Sequence, residues 1–199
     1  MPSAIILLAE GTEEIEFVTP YNVLVRAGFD VKSIGVDLKE SYATGNMSIK
    51  ITPDTTTLPT TPTADILILP GGSDAAETFC THAGVQSLIR AYRDCGKWVG
   101  VICASTTALV ASVGGAGKTE GIESAKKVKV TSHPSAKQRV VDAGWEYSEE
   151  RVVVDGKVIS TRGPGTVLGF SLLVVELLVG KERRNEVHRG MVAADALRA

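Results

Sequence analysis

The sequence predicts a doubly wound α/β fold with a mainly parallel sheet. Short, uninterrupted apolar runs bounded by turn residues recur along the chain, as in strands that are covered on both faces. Helix-length amphipathic stretches lie between them, and this alternation indicates right-handed crossover connections. An Asp-Gly turn between two β-branched runs adds an antiparallel hairpin to the sheet.

Each expected element follows from its own run of residues. The expected strands are 4–8, 31–36, 66–69, 99–102 and 128–131. The expected helices are 13–27, 83–94, 106–113, 134–143 and 166–179. The hairpin covers 152–159, and the stretch 55–63, rich in Thr and Pro, is expected to be a surface loop. The last stretch, 181–199, is expected to be a solvated helical extension of a single domain 1–199, with a partner subunit as its candidate contact.

Length, charge and cysteine content exclude several classes of protein. A chain of 199 residues with ordinary composition is long enough to bury a core without disulfide or metal support. Its 21 basic and 23 acidic side chains nearly balance and are mixed along the chain, so we expect no nucleic-acid partner. The three cysteines, at 80, 95 and 103, have no metal-ligand spacing, which favours a reducing compartment and no metal.

The two most apolar segments are too short to be a signal peptide or a membrane span. The opening run 4–8 lacks the length and basic flank of a signal peptide. The run 170–179 is far shorter than the roughly 20 residues that cross a bilayer. We therefore expect a soluble protein of the cytoplasm, with the nucleus as a second compartment and no membrane partner.

Four expected strand ends carry groups with chemical uses. In an open α/β sheet, sites form at the carboxyl ends of the strands. The sequence has Glu16 after the first strand, Gly71-Gly72 after the third, Cys103 after the fourth and His133 after the fifth. These four ends are therefore the candidate site.

Cys103 is the candidate nucleophile. The run 98–106 passes from a buried strand to a helix within one or two residues, as in a nucleophile elbow. A helix start beneath the sulfur stabilises the thiolate, so we expect the thiol pKa to fall below its usual ~8.5. From the spacing alone, a buried cysteine that acts only as a small hydrophobe is an equally good interpretation.

The other candidates are weaker when each is taken alone. Gly71 lets a ligand approach the backbone, and the N–H groups of Gly72 and Ala104 can form an oxyanion hole, but a Gly pair is more often an ordinary turn. Glu16 lies in a Glu-Glu-Ile-Glu run that more often marks a solvated helix start. His133, before a proline, is more often a helix cap or a surface residue.

The segment 112–119 nearly matches a phosphate-binding loop. It begins with Ser112 instead of Gly and follows an expected helix, whereas that motif needs a preceding strand. We interpret it as a surface loop.

Five ordered motifs resemble one known family. They are Glu10-Gly11-Thr12-Glu13-Glu14-Ile15-Glu16, Leu69-Pro70-Gly71-Gly72, Val101-Ile102-Cys103-Ala104, Thr131-Ser132-His133-Pro134 and Thr161-Arg162-Gly163-Pro164-Gly165-Thr166. Their order and approximate spacing resemble the ThiJ/PfpI superfamily, in particular the branch of the parkinsonism-associated protein deglycase and the glutathione-independent glyoxalases. The resemblance extends from about residue 4 to about residue 181.

The resemblance implies a flavodoxin-like three-layer α/β/α sandwich that forms a homodimer and needs no cofactor. It implies that Cys103 is the reactive nucleophile, that Glu16 is its carboxyl partner and that His133 lies close by. Members of the family convert the 2-oxoaldehyde methylglyoxal to lactate without glutathione. Some members are described as deglycases, oxidative-stress sensors or chaperones.

The sequence departs from the family at three places. Ser105 stands where relatives usually carry Gly, beside the nucleophile. The stretch 114–127 is longer than in close relatives. Met47 stands where some relatives have an Arg that helps to order the site across the dimer interface.

The expected chemistry begins with one shared proton. A carboxylate repels a neighbouring thiolate, so Glu16 helps Cys103 only as a protonated hydrogen-bond donor. We expect a coupled pair that shares one proton near neutral pH, and a hemithioacetal whose protons are moved by Glu16 with His133 assisting. A redox-sensing or chaperone-like protein that acts through Cys103 oxidation is the alternative, and a cysteine peptidase is a weaker third.

Overall fold

The chain forms a six-stranded sheet between two layers of helices. The computed structural model describes residues 1–114 and 123–197. The sheet contains β1 (Ser3–Leu8), β2 (Asp30–Gly35), β5 (Ile66–Leu69), β6 (Trp98–Ile102), β7 (Val152–Asp155) and β8 (Val158–Thr161). A separate short ribbon contains β3 (Ala43–Thr44) and β4 (Lys50–Ile51).

The strand order confirms the predicted fold class. The order is β2-β1-β5-β6-β8-β7, and every neighbouring pair is parallel except β7 and β8. That last pair is the hairpin that the Asp155-Gly156 turn predicts, with Gly156 at a φ of +56°. A mostly parallel open sheet of this order is flavodoxin-like.

Seven α-helices cover the sheet within the described residues. They are α1 (Glu14–Arg26), α2 (Ser73–Thr81), α3 (Ala83–Asp94), α4 (Thr106–Gly114), α5 (Lys137–Asp142), α6 (Val167–Val179) and α7 (Lys181–Gly190). Among these residues, no helix combines the length and the apolar character needed to cross a membrane.

The two faces of the sheet have separate cores, which makes the fold a three-layer sandwich. Ile5, Leu7, Leu67 and their neighbours on β6 pack under α2, α3, α4 and α5. Ile6, Leu8 and their neighbours on β5 pack under α1, α6 and α7. Successive residues of one strand thus enter opposite cores, which is why β1 and β5 are apolar without alternation.

The prediction of a strand at 128–131 is wrong. Only Val130 pairs, through an isolated parallel bridge to Tyr147. Both edges of β6 are already used, by β5 and β8, so this segment runs beside the sheet without joining it. The segment nevertheless leads to His133, as a strand would have done.

Two elements near the site were not predicted, and one expected helix is divided. The helix α2 was missed because its residues, SDAAETFCT, include several Ser, Asp and Thr, which are weak helix formers. The β3–β4 ribbon was missed because each strand has only two residues. The expected helix 134–143 is a 3₁₀ turn, Pro134–Ala136, followed by α5.

The expected C-terminal helix ends early and is not wholly solvated. The helix α7 stops at Gly190, and its residues Arg184, Val187 and His188 are buried. Most of the segment 112–119 and part of the longer stretch 114–127 lie outside the described residues. The helix α4 continues through Gly114, so the near match to a phosphate loop does follow a helix.

Candidate active site

The carboxyl ends of three parallel strands bring the main candidates together. Glu16 lies in the first turn of α1 after β1, Gly71 and Gly72 follow β5, and Cys103 follows β6 directly. Because these strands are adjacent and parallel, their ends meet at one edge of the sheet. The structure therefore brings these candidates together, and their role as a site stays a prediction.

Cys103 has the backbone geometry of a nucleophile elbow. It begins a 3₁₀ turn, Cys103–Ser105, between β6 and α4, and its φ is +60°. A non-glycine residue in this left-handed region stores about 1–3 kcal/mol of strain. The residue is 9% exposed, so the thiol is largely removed from water.

Glu16 is fully buried beside that thiol. Its Oε2 accepts a hydrogen bond from the Gly71 N–H at 2.8 Å, and its backbone N–H donates to Oε2 of Glu13 at 2.9 Å. Its second oxygen, Oε1, accepts no hydrogen bond of standard geometry from the residues that the structure describes. The Cys103 thiol is the neighbouring group that interacts with the carboxyl.

The absence of side chains at Gly71 and Gly72 permits this contact. A Cβ at Gly71 would lie 2.5 Å from Oε2 of Glu16 and 2.6 Å from Cβ of Cys103. At Gly72 the φ is +102°, and a Cβ would lie 2.0 Å from the Gly11 carbonyl oxygen. Gly71 therefore leaves room for the acid and the thiol to approach each other, while Gly72 leaves room for the Gly11 backbone.

Burial sets the proton affinities of the pair. It raises the pKa of Glu16 to about 7. Burial, together with the charge of Glu16, raises the pKa of Cys103 to about 12. The expectation that the thiol pKa falls below its usual value is therefore wrong when Glu16 is ionised, because the turn at the helix start does not outweigh desolvation.

The two values describe one coupled titration. Between about pH 7 and about pH 12 the pair holds a single proton, which either the sulfur or the carboxyl can carry. The sequence predicted this shared proton, and the geometry supplies its cause, which is an acid and a thiol buried against each other. The thiolate with a protonated acid is one of the two forms of that state.

The N–H groups of Ala104 and Gly72 interact with the sulfur. Both hydrogen bonds lower the pKa of Cys103, although less than burial raises it. In the resting protein these donors therefore stabilise a sulfur anion. Their predicted role as an oxyanion hole stays a prediction.

His133 lies at the rim of the site and also caps a turn. It is exposed, and its backbone N–H donates to the Cys103 carbonyl at 3.3 Å. Its ring nitrogen Nδ1 accepts from the backbone N–H of Ser135 at 3.3 Å. A backbone N–H can only donate, so in the neutral ring the proton sits on Nε2. A Cβ on Gly163 would be 3.7 Å from both His133 Cδ2 and Glu16 Oε1, so both border that glycine.

Two supporting residues were missed by sequence reasoning. Glu13 is the N-cap of α1, and its backbone N–H also donates to the Gly71 carbonyl at 2.9 Å. Glu14 is buried, and its Oε1 accepts from the N–H groups of Met47 at 2.8 Å and Ile49 at 3.2 Å. The Glu-Glu-Ile-Glu run was the available signal, but its charge density favoured a solvated helix start.

Comparisons with known proteins agree with this architecture. Residues 2–177 match the model of the DJ-1/PfpI family. The chain is 34% identical to protein dj-1beta of Drosophila melanogaster over 200 residues, covering 96% of this chain and 97% of that protein. It is 30% identical over 203 residues to a protein of Schizosaccharomyces pombe named glutathione-independent glyoxalase DJ-1, covering 96% and 98%.

A solved structure extends the likeness to three dimensions. The crystal structure of Drosophila melanogaster DJ-1beta superposes with a TM-score of 0.86 at 33% identity, covering 97% of this chain and 98% of that one. A family match over most of the chain and a shared fold point to the same conclusion. The chain belongs to the DJ-1/PfpI family.

Proposed function

We propose that the protein converts methylglyoxal and related 2-oxoaldehydes to 2-hydroxy acids without glutathione. The observation that carries the proposal is a strained cysteine in direct contact with a buried acid whose pKa is raised to about 7. Such an acid can both give and take a proton at neutral pH, as this isomerisation requires. The name of the Schizosaccharomyces pombe relative supports the same reaction class.

The first step forms a carbon–sulfur bond. The Cys103 thiolate attacks the aldehyde carbon, and the protonated Glu16 gives its proton to the oxygen, which yields a hemithioacetal. Once the sulfur is bonded to carbon, the N–H groups of Gly72 and Ala104 lose a full anionic partner. We infer that they then stabilise the developing oxyanion, as predicted for an oxyanion hole.

The second step moves a proton between adjacent carbons. Glu16, now ionised, removes the proton from the former aldehyde carbon, and a proton is returned to the former ketone carbon, which yields a thioester of the 2-hydroxy acid. His133, with its proton on Nε2, assists by donating it to the ketone oxygen, and it recovers a proton from the hemithioacetal hydroxyl when that oxygen becomes the thioester carbonyl. Water then cleaves the thioester, releases the acid and restores the thiol.

The atoms balance with water as the only co-reactant. One carbon of the substrate is oxidised while its neighbour is reduced, so no external electron carrier enters the scheme. We propose that the enzyme works without a cofactor and that its product from methylglyoxal is D-lactate.

The direct test is lactate formation by the purified protein. Methylglyoxal is supplied without glutathione or any other thiol, and lactate is measured by mass spectrometry and by enantiomer-specific oxidation. The proposal expects sustained turnover to D-lactate over many equivalents of enzyme. Aldehyde loss that stops at one equivalent, with no lactate, would instead indicate simple adduct formation.

The arrangement is less suited to a cysteine peptidase. Peptide hydrolysis by cysteine uses an imidazole paired with the thiol. Here the group paired with Cys103 is the Glu16 carboxyl, while Nδ1 of His133 is bound by Ser135. Hydrolysis of casein would revive this alternative.

We also propose that the protein is a homodimer. One face of α1 exposes Ile15, Val18 and Val25, and the neighbouring loop exposes Met47 and Ile49. Glu14 binds the N–H groups of that loop, so the helix and the loop form one apolar surface next to the site. Clustered apolar side chains of this size are typical of an interface.

A charge at the centre of this surface is expected to separate the subunits. Val18→Glu would bury a carboxylate in the proposed interface, so sedimentation equilibrium should give about 21.0 kDa in place of twice that mass. Val141→Glu is the matched control, since Val141 is also a half-exposed helix valine but lies on α5. A wild-type protein that sediments as a monomer would refute the proposal.

A further inference from the structure

Ser105 is a buried residue next to the nucleophile whose hydroxyl has a defined partner. It is fully buried at the end of the Cys103–Ser105 turn, and its Oγ is 2.5 Å from the Pro70 carbonyl oxygen. A carbonyl oxygen only accepts, so the serine donates. The hydroxyl therefore joins the turn after β6 to the loop after β5.

The acceptor belongs to the peptide that holds Glu16. The Pro70 carbonyl and the Gly71 N–H are the two polar groups of one planar peptide unit. The carbonyl accepts from Ser105, and the N–H donates to Oε2 of Glu16 at 2.8 Å. A hydrogen bond to the carbonyl fixes the plane of the peptide and strengthens its N–H as a donor.

The next peptide is anchored in the same way. The Gly71 carbonyl accepts from the Glu13 N–H at 2.9 Å, while the Gly72 N–H donates to the sulfur of Cys103. Two consecutive peptides thus each have an anchored carbonyl on one side and a donor into the site on the other. Ser105 supplies the anchor for the acid, and the backbone of α1 supplies the anchor for the thiol.

We propose that Ser105 is a positioning residue that sets the orientation and proton affinity of Glu16 through the Pro70–Gly71 peptide. The groups that face Glu16 are Glu13 on its own helix, Cys103 after β6 and His133 at the rim. The Gly71 N–H is the donor that most favours the ionised carboxyl, ahead of the Cys103 thiol. Weakening that donor must make Glu16 harder to ionise.

The test is the pH dependence of Cys103 alkylation by iodoacetamide. The rate is followed on the Cys103 peptide by mass spectrometry, so the other two cysteines do not contribute. In Ser105→Ala and Ser105→Gly the midpoint should rise by about half a pH unit, because the carboxylate loses support from the Gly71 N–H. Ser105→Thr retains a hydroxyl and should keep the wild-type midpoint.

A matched control separates positioning from stability. Ser171 is also fully buried and donates its hydroxyl to a backbone carbonyl, that of Val167, but it lies within α6. Ser171→Ala should lower the melting temperature without moving the midpoint. The proposal is overturned if folded Ser105→Ala and Ser105→Gly keep the wild-type midpoint, or if Ser105→Thr shifts as far as Ser105→Ala. No aldehyde is turned over, so this result and the proposed reaction can fail separately.

Discussion

Replacing Cys103 with Ser is expected to lower lactate formation from methylglyoxal by at least about 1,000-fold. The serine oxygen keeps the strained turn but stays protonated at neutral pH, so the carbon–sulfur bond and the thioester cannot form. The measurement is kcat/KM from the initial rate of lactate appearance, with no thiol in the buffer.

The control is Cys95→Ser. Cys95 is exposed at the end of α3 and precedes the amino end of β6, whereas Cys103 follows the carboxyl end of that strand, so loss of Cys95 should leave the rate unchanged. Undiminished turnover by Cys103→Ser would end the covalent mechanism. If wild-type protein forms almost no lactate at physiological methylglyoxal concentrations, a redox-sensing role for Cys103 would be favoured instead.

Replacing Glu16 with Gln is expected to slow the enzyme and stabilise the fold. The amide can still accept from the Gly71 N–H, but it cannot carry the proton between carbons, so kcat should fall about 100-fold or more. The free energy of unfolding at pH 8 should rise by up to about 3 kcal/mol, because the wild type pays to hold an ionised carboxyl in a buried site.

The sign of the stability effect follows from proton binding. The native carboxyl has a pKa of about 7, against 4.5 without the fold, so between these values the native state binds more protons than the unfolded state. Wild-type stability should therefore fall as pH rises through this window, and the variant's advantage should vanish near pH 4. Urea titrations of both proteins at pH 4, 6 and 8 measure this difference in the free energy of unfolding.

An exposed glutamate provides the control for this experiment. Glu40→Gln removes one negative charge at an exposed position and should change neither kcat nor stability by a comparable amount. Equal stability of wild type and Glu16→Gln at pH 8 would show that Glu16 ionises at its ordinary pKa.

The sheet was largely predictable because its signals are local. The runs at β1, β5 and β6 are almost entirely apolar, β2 (DVKSIG) is apolar only in part, and the Asp155-Gly156 turn specifies its own hairpin. The run 128–131 includes Lys129 and pairs only through the bridge from Val130 to Tyr147, because β8 takes the place beside β6, and this strand order is a property of the whole sheet. The helix α2 has weak helix formers and depends on packing, through Phe79 among others.

The grouping of the candidate site residues was predictable, but their pKa values were not. Strand ends and motif order pointed to Glu16, Cys103 and His133 as candidates. The direction of the Cys103 pKa was missed because helix-start stabilisation can be inferred from sequence, whereas desolvation depends on residues far apart in the chain. The hydrogen bond from Ser105 to Pro70 spans 35 positions, and a serine two residues after a cysteine does not reveal its partner.

The most direct test of the shared proton is the pH dependence of kcat/KM for methylglyoxal, which reports ionisations of the free enzyme. We expect kcat/KM to rise with a midpoint near pH 7 and then to remain level through pH 9, since the pair keeps one proton up to about pH 12. A rise with a midpoint near the ~8.5 of an isolated thiol, unchanged in Glu16→Gln, would contradict the account.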